Sequence, residues 1–348
     1  MNIGIVEGFF GPAWSENDRK SYAEFLSEYG ANFYIYAPKQ DPNLRKAWRE
    51  EWDPKYVNKL EGLKSHFHKN GIKFGVGFSP FGLGTELTDT DKEELRKKLK
   101  ILNDLKIDIL GIFFDDMPIT ENLAEVQLQT TSIIKQHFNQ KIIFCPSFYT
   151  YDPILEKVFG KMPHGYLERI GAGIPTDVSI AWTGPKVISP VIDEEHIMGV
   201  KTLLKRQPFI WENFFANDGP RNCKFLKLKP FSGRDSKTMQ ETEGIALNLM
   251  NQPQLSKILF LSALNVLNGE TDVNTAFDKA IGELCTQDLQ KFLSLNKEIF
   301  LNKGLDVISE TEKQNYIIEL LKMPDQISKE ILDWLQGMYT VGSECLTD

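Results

Sequence analysis

Eight short apolar runs punctuate roughly the first 265 residues of this 348-residue chain, and their spacing limits the folds open to it. The pattern predicts strands at Ile3–Val6, Asn32–Tyr36, Lys73–Phe78, Ile109–Phe114, Lys141–Cys145, Val178–Ala181, Pro208–Trp211 and Gly244–Asn248. The clearest of them, Ile109–Phe114, is continuously apolar and too short for a lone helix, as suits a strand buried on both faces. Helical patterns lie between the runs. Tyr22, Phe25, Leu26 and Tyr29 share one face, behind a cap-like Ser15-Glu16-Asn17-Asp18 and ahead of Gly30. Asp53-Pro54 starts a second helix with a stripe of Tyr56, Leu60, Leu63 and Phe67. Thr90-Asp91-Lys92-Glu93 reads as the capping box of a third, ending near Leu105, and a fourth runs from about Thr120 to Phe138. Strands alternating with helices make a parallel sheet, and eight such units predict a closed α/β barrel, (β/α)8, of the TIM type. The rival, an open doubly wound sheet, is weakened because no G-x-G-x-x-G follows any of these strands.

The alternation stops near Asn268. The expected organisation is a barrel over residues 1–267 and a short C-terminal helical segment over residues 268–348. In the latter, Ser309-Glu310-Thr311-Glu312 is a capping box. Ile317, Leu320 and Leu321 repeat at helical spacing, as do Ile327, Ile331, Trp334 and Leu335. Nothing in that segment suggests catalysis. Pro80–Leu87 and Gly219–Asp235 are poorly patterned and read as loops over the barrel mouth.

Parallel barrels keep their chemistry at the C-terminal ends of the strands. There the fourth run ends abruptly in Asp115 and Asp116. Alone, this pair equally fits a strand end with two solvated acids. For both to serve one substrate, the chain must leave strand geometry at that point, and Met117-Pro118 fits such a break. The other predicted strand ends contribute Glu7, Gly8 and Gly11; Lys39; Ser147 and Tyr149; Trp182 and Thr183; Trp211, Asn213, Asn217 and Asp218; and Asn248. Carboxylates, amides and indoles suit a ligand rich in hydroxyls with one apolar face, which describes a sugar. A basic cluster for phosphate and a Ser–His pair for acyl transfer are both missing from this inventory. Each residue also has a plainer reading. Trp182 and Trp211 fit a core, Lys39 a solvated loop, Tyr149 a core tyrosine, and Gly8 and Gly11 a turn.

A net charge of −8 argues against nucleic acid or an anionic membrane as partner. The five histidines form no metal constellation, and no cofactor is called for. Four scattered cysteines without a C-x-x-C pair, no basic leader before Asn2–Val6 and no apolar run of membrane-spanning length together point to a cytoplasmic protein.

Several longer motifs carry a family resemblance: GIVEGFFGPAW, NFYIYAPKQDP with KAWREEW following, FFDDMP, CPSFY, WTGPKV and IWENFFANDG. With these the chain resembles glycoside hydrolase family 84, the β-N-acetylglucosaminidases that include protein O-GlcNAcase and proteins once labelled hyaluronidases. The similarity runs from about Gly4 to Leu264. It implies an N-acetylglucosamine-containing glycan or glycoprotein as partner and substrate-assisted hydrolysis at the paired aspartates. Asp115 would orient and polarise the 2-acetamido group, and Asp116 would be the general acid/base. Lys39, Tyr149, Asn213, Asp218 and Asn248 match sugar- or acetamido-binding positions, Gly8 a backbone sugar contact, and Trp211 a wall of the acetamido pocket. The chain departs from the family in having WEN in place of WDN and NLMNQ in place of an NPMNQ-like stretch.

In such a mechanism the substrate's own acetamide carbonyl is the nucleophile, which explains adjacent rather than distant carboxylates. The expected activity is that of a retaining exo-β-N-acetylglucosaminidase acting through an oxazoline. An endo-acting hyaluronan hydrolase and a catalytically silent glycan-binding barrel are the alternatives. Neither the motifs nor the composition fixes the oligomeric state.

Overall fold

The computed structural model describes residues 2–347. Eight parallel strands close into one barrel in sequence order. They are β1 (Ile3–Glu7), β2 (Phe33–Tyr36), β3 (Lys73–Phe78), β4 (Ile109–Phe113), β5 (Lys141–Cys145), β6 (Ser179–Trp182), β7 (Phe209–Glu212) and β8 (Gly244–Leu247). Closure is made where Ile3, Gly4 and Ile5 pair with Ile245, Ala246 and Leu247. The strands are buried almost throughout, because helices cover the outside and side chains fill the inside. Gly77 of β3 and Gly111 of β4 stand opposite each other in the register. A Cβ on either would come within 2.3 Å of the Phe113 ring, so this glycine pair makes the room that Phe113 fills.

The helices follow from their local signals, with some shifts. Ser15 and Asp18 cap each other reciprocally at the start of Glu16–Glu28, and Asp53 with Pro54 opens Pro54–Lys69. The third helix, Asp89–Asp104, begins earlier than Thr90 predicts. Its capping box is Thr88 with Asp91, and Asp91 also receives Arg49 Nε at 2.8 Å. Asp91 is therefore the third helical residue, where a second partner outside the helix can reach its carboxylate. The fourth helix spans Leu123–His137 and starts three residues past Thr120. Between β5 and β6 the chain forms two short helices, Ile154–Phe159 and Tyr166–Gly173, which single-face periodicity did not reveal.

After β8 come the buried helix Pro253–Leu267 and four more: Val273–Leu284, Gln287–Asn302, Glu310–Leu320 and Gln326–Leu335. The Ser309–Glu312 capping box forms. Leu320, Ile331, Trp334 and Leu335 are buried and Ile317 is half-buried. Leu321, grouped with them by spacing, is exposed because it lies just beyond the last helical turn. Trp334 packs edge-on against Phe300 and donates its indole N–H to the Cys223 carbonyl at 3.0 Å, tying the last helix to the loop after β7. No helix among the described residues is long and apolar enough to cross a membrane.

Glu330 makes the firmest tie between the last helix and the barrel. Its carboxylate accepts the backbone N–H groups of Gln254 and Leu255 at 2.8–2.9 Å, at the start of Pro253–Leu267. Those amides are donors that the helix itself cannot satisfy. Burial pushes this carboxyl up to about 8, against the amides, which favour its charged form. Glu330→Ala is expected to cost about 2–3 kcal/mol, the scale for stranding two buried backbone donors. Denaturant unfolding at fixed pH checks this; a midpoint equal to wild type would show that water replaces the carboxylate without loss.

Candidate active site

The chain leaves β4 through Phe114, whose N–H still pairs with the Cys145 carbonyl at 2.9 Å. Two residues later Asp116 adopts φ +53°, a left-handed conformation that aspartate tolerates better than most residues. Arg45 Nη2 grips the Asp116 carbonyl at 2.8 Å and holds the turn. The strand's alternation is thereby broken, and Asp115 and Asp116 both line one cavity. This is the departure from strand geometry that adjacent acids with a shared substrate require.

That cavity, about 560 Å3 of open space at the C-terminal mouth of the barrel, collects residues from most strands. Gly8 follows β1, Lys39 follows β2, and Tyr149 and Thr183 come after β5 and β6. Trp211 stands within β7, with Asn213 and Asp218 beyond it and Asn248 after β8. The nine residues that the resemblance gives a role therefore all line one pocket: Asp115, Asp116, Gly8, Lys39, Tyr149, Trp211, Asn213, Asp218 and Asn248.

The back wall is a hydrogen-bonded amide network. Asn213 Oδ1 accepts both the Trp211 indole N–H and Asn248 Nδ2 at 3.0 Å. Asn248 Oδ1 in turn accepts the Gly8 N–H at 3.2 Å, and Asn213 Nδ2 donates to the Val187 carbonyl at 2.9 Å. Trp211 is further fixed edge-on against Phe113, with ring centroids 4.9 Å apart. A Cβ at position 8 would lie 2.3 Å from the Trp211 ring, so only glycine admits the indole there.

The charges are arranged unequally. Lys39 Nζ forms a buried ion pair with Asp115 Oδ2, while Asp115 Oδ1 is buried with no hydrogen-bond partner among the described residues. Tyr149 donates its hydroxyl to Asp116 Oδ1 at 2.9 Å. Burial raises the Asp116 carboxyl above the ordinary aspartate range and the adjacent Asp115 charge raises it further, opposed by Lys39, Arg45 and the Tyr149 hydroxyl. Asp218 accepts the Phe10 N–H at 2.8 Å, and burial pushes it up to about 6. The site thus offers a lysine-paired carboxylate with one free acceptor, beside a second carboxyl that holds its proton more tightly than an ordinary aspartate.

Some residues near the predicted strand ends serve the scaffold. Glu7 is fully buried and clasped by both arms of Arg19 and by the Tyr34 hydroxyl. Trp182 is core, its indole N–H bonded to His196. Asn217 ties Phe225 to Gln252 across the loops. Glu212, where the chain departs from the family pattern, pairs in bidentate fashion with fully buried Arg234. Its longer side chain serves that ion pair, and it is not among the pocket-lining residues. Other lining residues, Phe10, Cys145, Val187, Cys345 and Thr347 among them, had no chemical signal in the sequence. Two of these belong to the C-terminal segment, which sequence patterning gave no catalytic part. Among the described residues no group of three or more His, Cys, Asp or Glu is placed to hold a metal.

A family model described as beta-N-acetylglucosaminidase matches residues 3–296. The Protein O-GlcNAcase of Rattus norvegicus is 30% identical over 259 residues, covering 70% of this chain and 27% of that protein. The Protein O-GlcNAcase of Mus musculus matches to the same extent. The chain therefore spans about a quarter of the length of these curated relatives. Among solved structures, a mutant of the Thermobaculum terrenum O-GlcNAc hydrolase superposes with a TM-score of 0.80 at 27% identity, over 96% of this chain and 80% of that one.

Proposed function

The chain belongs to the β-N-acetylglucosaminidases of glycoside hydrolase family 84, and we propose that it is a retaining exo-enzyme that releases terminal β-linked N-acetylglucosamine through an oxazoline intermediate. Catalysis would reside in the barrel, residues 1–267, with the helical segment 268–348 buttressing it. The relatives named Protein O-GlcNAcase make glycosylated proteins a natural substrate class. Four unbridged cysteines fit a reducing, cytoplasmic setting.

One observation carries the mechanism: Asp115 is held by Lys39 at one oxygen and has a buried, unpartnered acceptor at the other. An unsatisfied buried carboxylate oxygen is costly, and a substrate amide N–H would satisfy it. Asp115 then draws on the acetamide N–H, so the carbonyl oxygen becomes a stronger nucleophile toward the anomeric carbon. The anomeric C–O bond breaks as that oxygen attacks, and Asp116 delivers its proton to the leaving oxygen. Tyr149 keeps the Asp116 carboxyl aimed. In the second half Asp116, now a carboxylate, takes a proton from water as the water opens the oxazoline, and the configuration is retained. Trp211 walls the acetamido pocket, Gly8 and Asn213 contact the sugar beside it, and Asp218 and Asn248 take hydroxyls remote from the bond cut.

Turnover of an aryl N-acetyl-β-glucosaminide, with the matching β-glucoside essentially inert, tests the assignment. Equal turnover of both sugars, or of neither, would remove it.

Exo action rests on Asp218. As a carboxylate accepting sugar hydroxyls it contributes about 1.5–3 kcal/mol, so Asp218→Ala should lower kcat/KM by roughly 10–150-fold. With its carboxyl near 6, sugar binding should weaken as pH falls below that value, and Asp218→Asn should lose this acidic limb. Long hyaluronan separates the readings: a pocket leaves its viscosity intact, whereas a rapid fall with new even-numbered oligosaccharides would mean an open cleft.

A further inference from the structure

We propose that the segment Val341–Leu346 walls a leaving-group subsite that selects glycosylated peptides with apolar side chains flanking the sugar-bearing residue. This rests on the sugar pocket and on Asp116 as the acid, as assigned above.

A second groove, with about 820 Å3 of open space, adjoins the pocket and shares Phe10, Lys39 and Asp116 with it. Asp115, Trp211, Asp218 and Asn248, which surround the sugar, are absent from its lining. The groove therefore lies on the side of Asp116 to which the leaving oxygen must depart. Phe81, Val158, Phe159 and Leu346 make it apolar. Among the described residues no Asn, Gln or Trp lines it, so a second sugar would find neither the amides nor the indole that the first one meets. A peptide chain fits better, because its side chains can cover apolar surface and its carbonyls accept hydrogen bonds. One guanidinium bordering the groove is committed to the turn at Asp116 and lies beneath the surface. Arg45, which is buried, uses Nη2 on the Asp116 carbonyl, and its equally buried Nη1 has no hydrogen-bond partner among the described residues. Lys46 and Glu344 face each other across the rim at 3.9 Å, so the entrance carries charges of both signs.

The segment is seated, not draped. Val341 and Cys345 are buried against Phe10 and Cys223 in a small cluster of their own. Gly11, at φ +91°, lets Val341 approach; a Cβ there would sit 2.6 Å from its methyl. From this seat Thr347 faces the sugar pocket while Ser343, Glu344 and Leu346 face the groove. Leu346 is 55% exposed, an apolar side chain at the mouth with surface left to cover.

The test compares kcat/KM of the full chain on four substrates: an aryl N-acetyl-β-glucosaminide, chitobiose, and two synthetic peptides bearing one O-linked β-N-acetylglucosamine on serine. The peptides differ only in flanks, Val and Leu against Gly. Covering the exposed apolar surface should favour the Val/Leu peptide over the Gly peptide by roughly 5–20-fold, with chitobiose below both. Leu346→Asp, at an exposed position that folding does not depend on, should reduce that preference to about twofold, and Leu346→Met should retain it. Equal rates on the two peptides, preference for chitobiose, or a preference that survives Leu346→Asp would overturn this proposal while leaving the sugar assignment standing. Failure to cleave the aryl glycoside would sink that assignment, and this subsite with it.

Discussion

Asp116→Asn is expected to lower kcat/KM by about 10²–10⁴-fold for glycosides with alkyl or peptide leaving groups, the range for loss of a positioned general acid. The substitution is nearly isosteric. The amide oxygen can still accept the Tyr149 hydroxyl that now reaches Asp116 Oδ1 at 2.9 Å, and Arg45 still holds the backbone carbonyl. What disappears is the proton. Activated phenols leave without one, so their glycosylation step should suffer far less. A plot of log kcat/KM against leaving-group pKa should therefore become steeper in the variant. A parallel downward shift across the whole series would take the acid role away from Asp116 and make it a structural neighbour of Asp115.

How much of this was legible in the sequence depends on the physical signal each part leaves. The barrel leaves a strong one, because a strand buried on both faces must be a short apolar run and its covering helix must show one apolar stripe. The mouth residues follow from the barrel, since each strand's C-terminal end converges on one face. This is why Lys39 and Asp218, far apart in the chain, could be placed together. Geometry decided matters that residue types left open. Lys39 is a buried ion-pair partner of Asp115 and not a solvated loop lysine. Trp211 lines the pocket while Trp182 is core, although both lie near the C-terminal end of a strand. The C-terminal segment was the blind spot. Val341, Cys345 and Leu346 have no periodicity and no chemistry of their own; they matter because of where the helices before them set them down. Arg45 was missed similarly, since a guanidinium that braces a turn through a backbone carbonyl leaves no pattern in sequence.

Asp115→Asn should be the second severe variant, and its pH profile is more informative than its rate. On the proposed mechanism Asp115 is a preorganised charge beside the developing oxazolinium, and its replacement is expected to cost about 10²–10³-fold in kcat/KM. A stable thiazoline mimic of the intermediate should lose affinity in parallel, because its ring nitrogen side loses the carboxylate. On that mechanism the alkaline limb of kcat/KM reports loss of the Asp116 proton, or more strictly the upper titration of the pair. Burial and then the Asp115 charge hold that proton on, while Lys39 and Arg45 act against it. Asparagine at 115 removes the second of the two raising influences and also leaves Lys39 without its counter-charge. The Asp116 carboxyl must then titrate lower, so the alkaline limb should move to lower pH and the optimum should narrow from that side. A purely structural role for Asp115 predicts a slower enzyme with its limb in place. A limb that does not move, or a covalent aspartyl–glycosyl ester trapped during turnover, would mean that the substrate's acetamide is not the nucleophile.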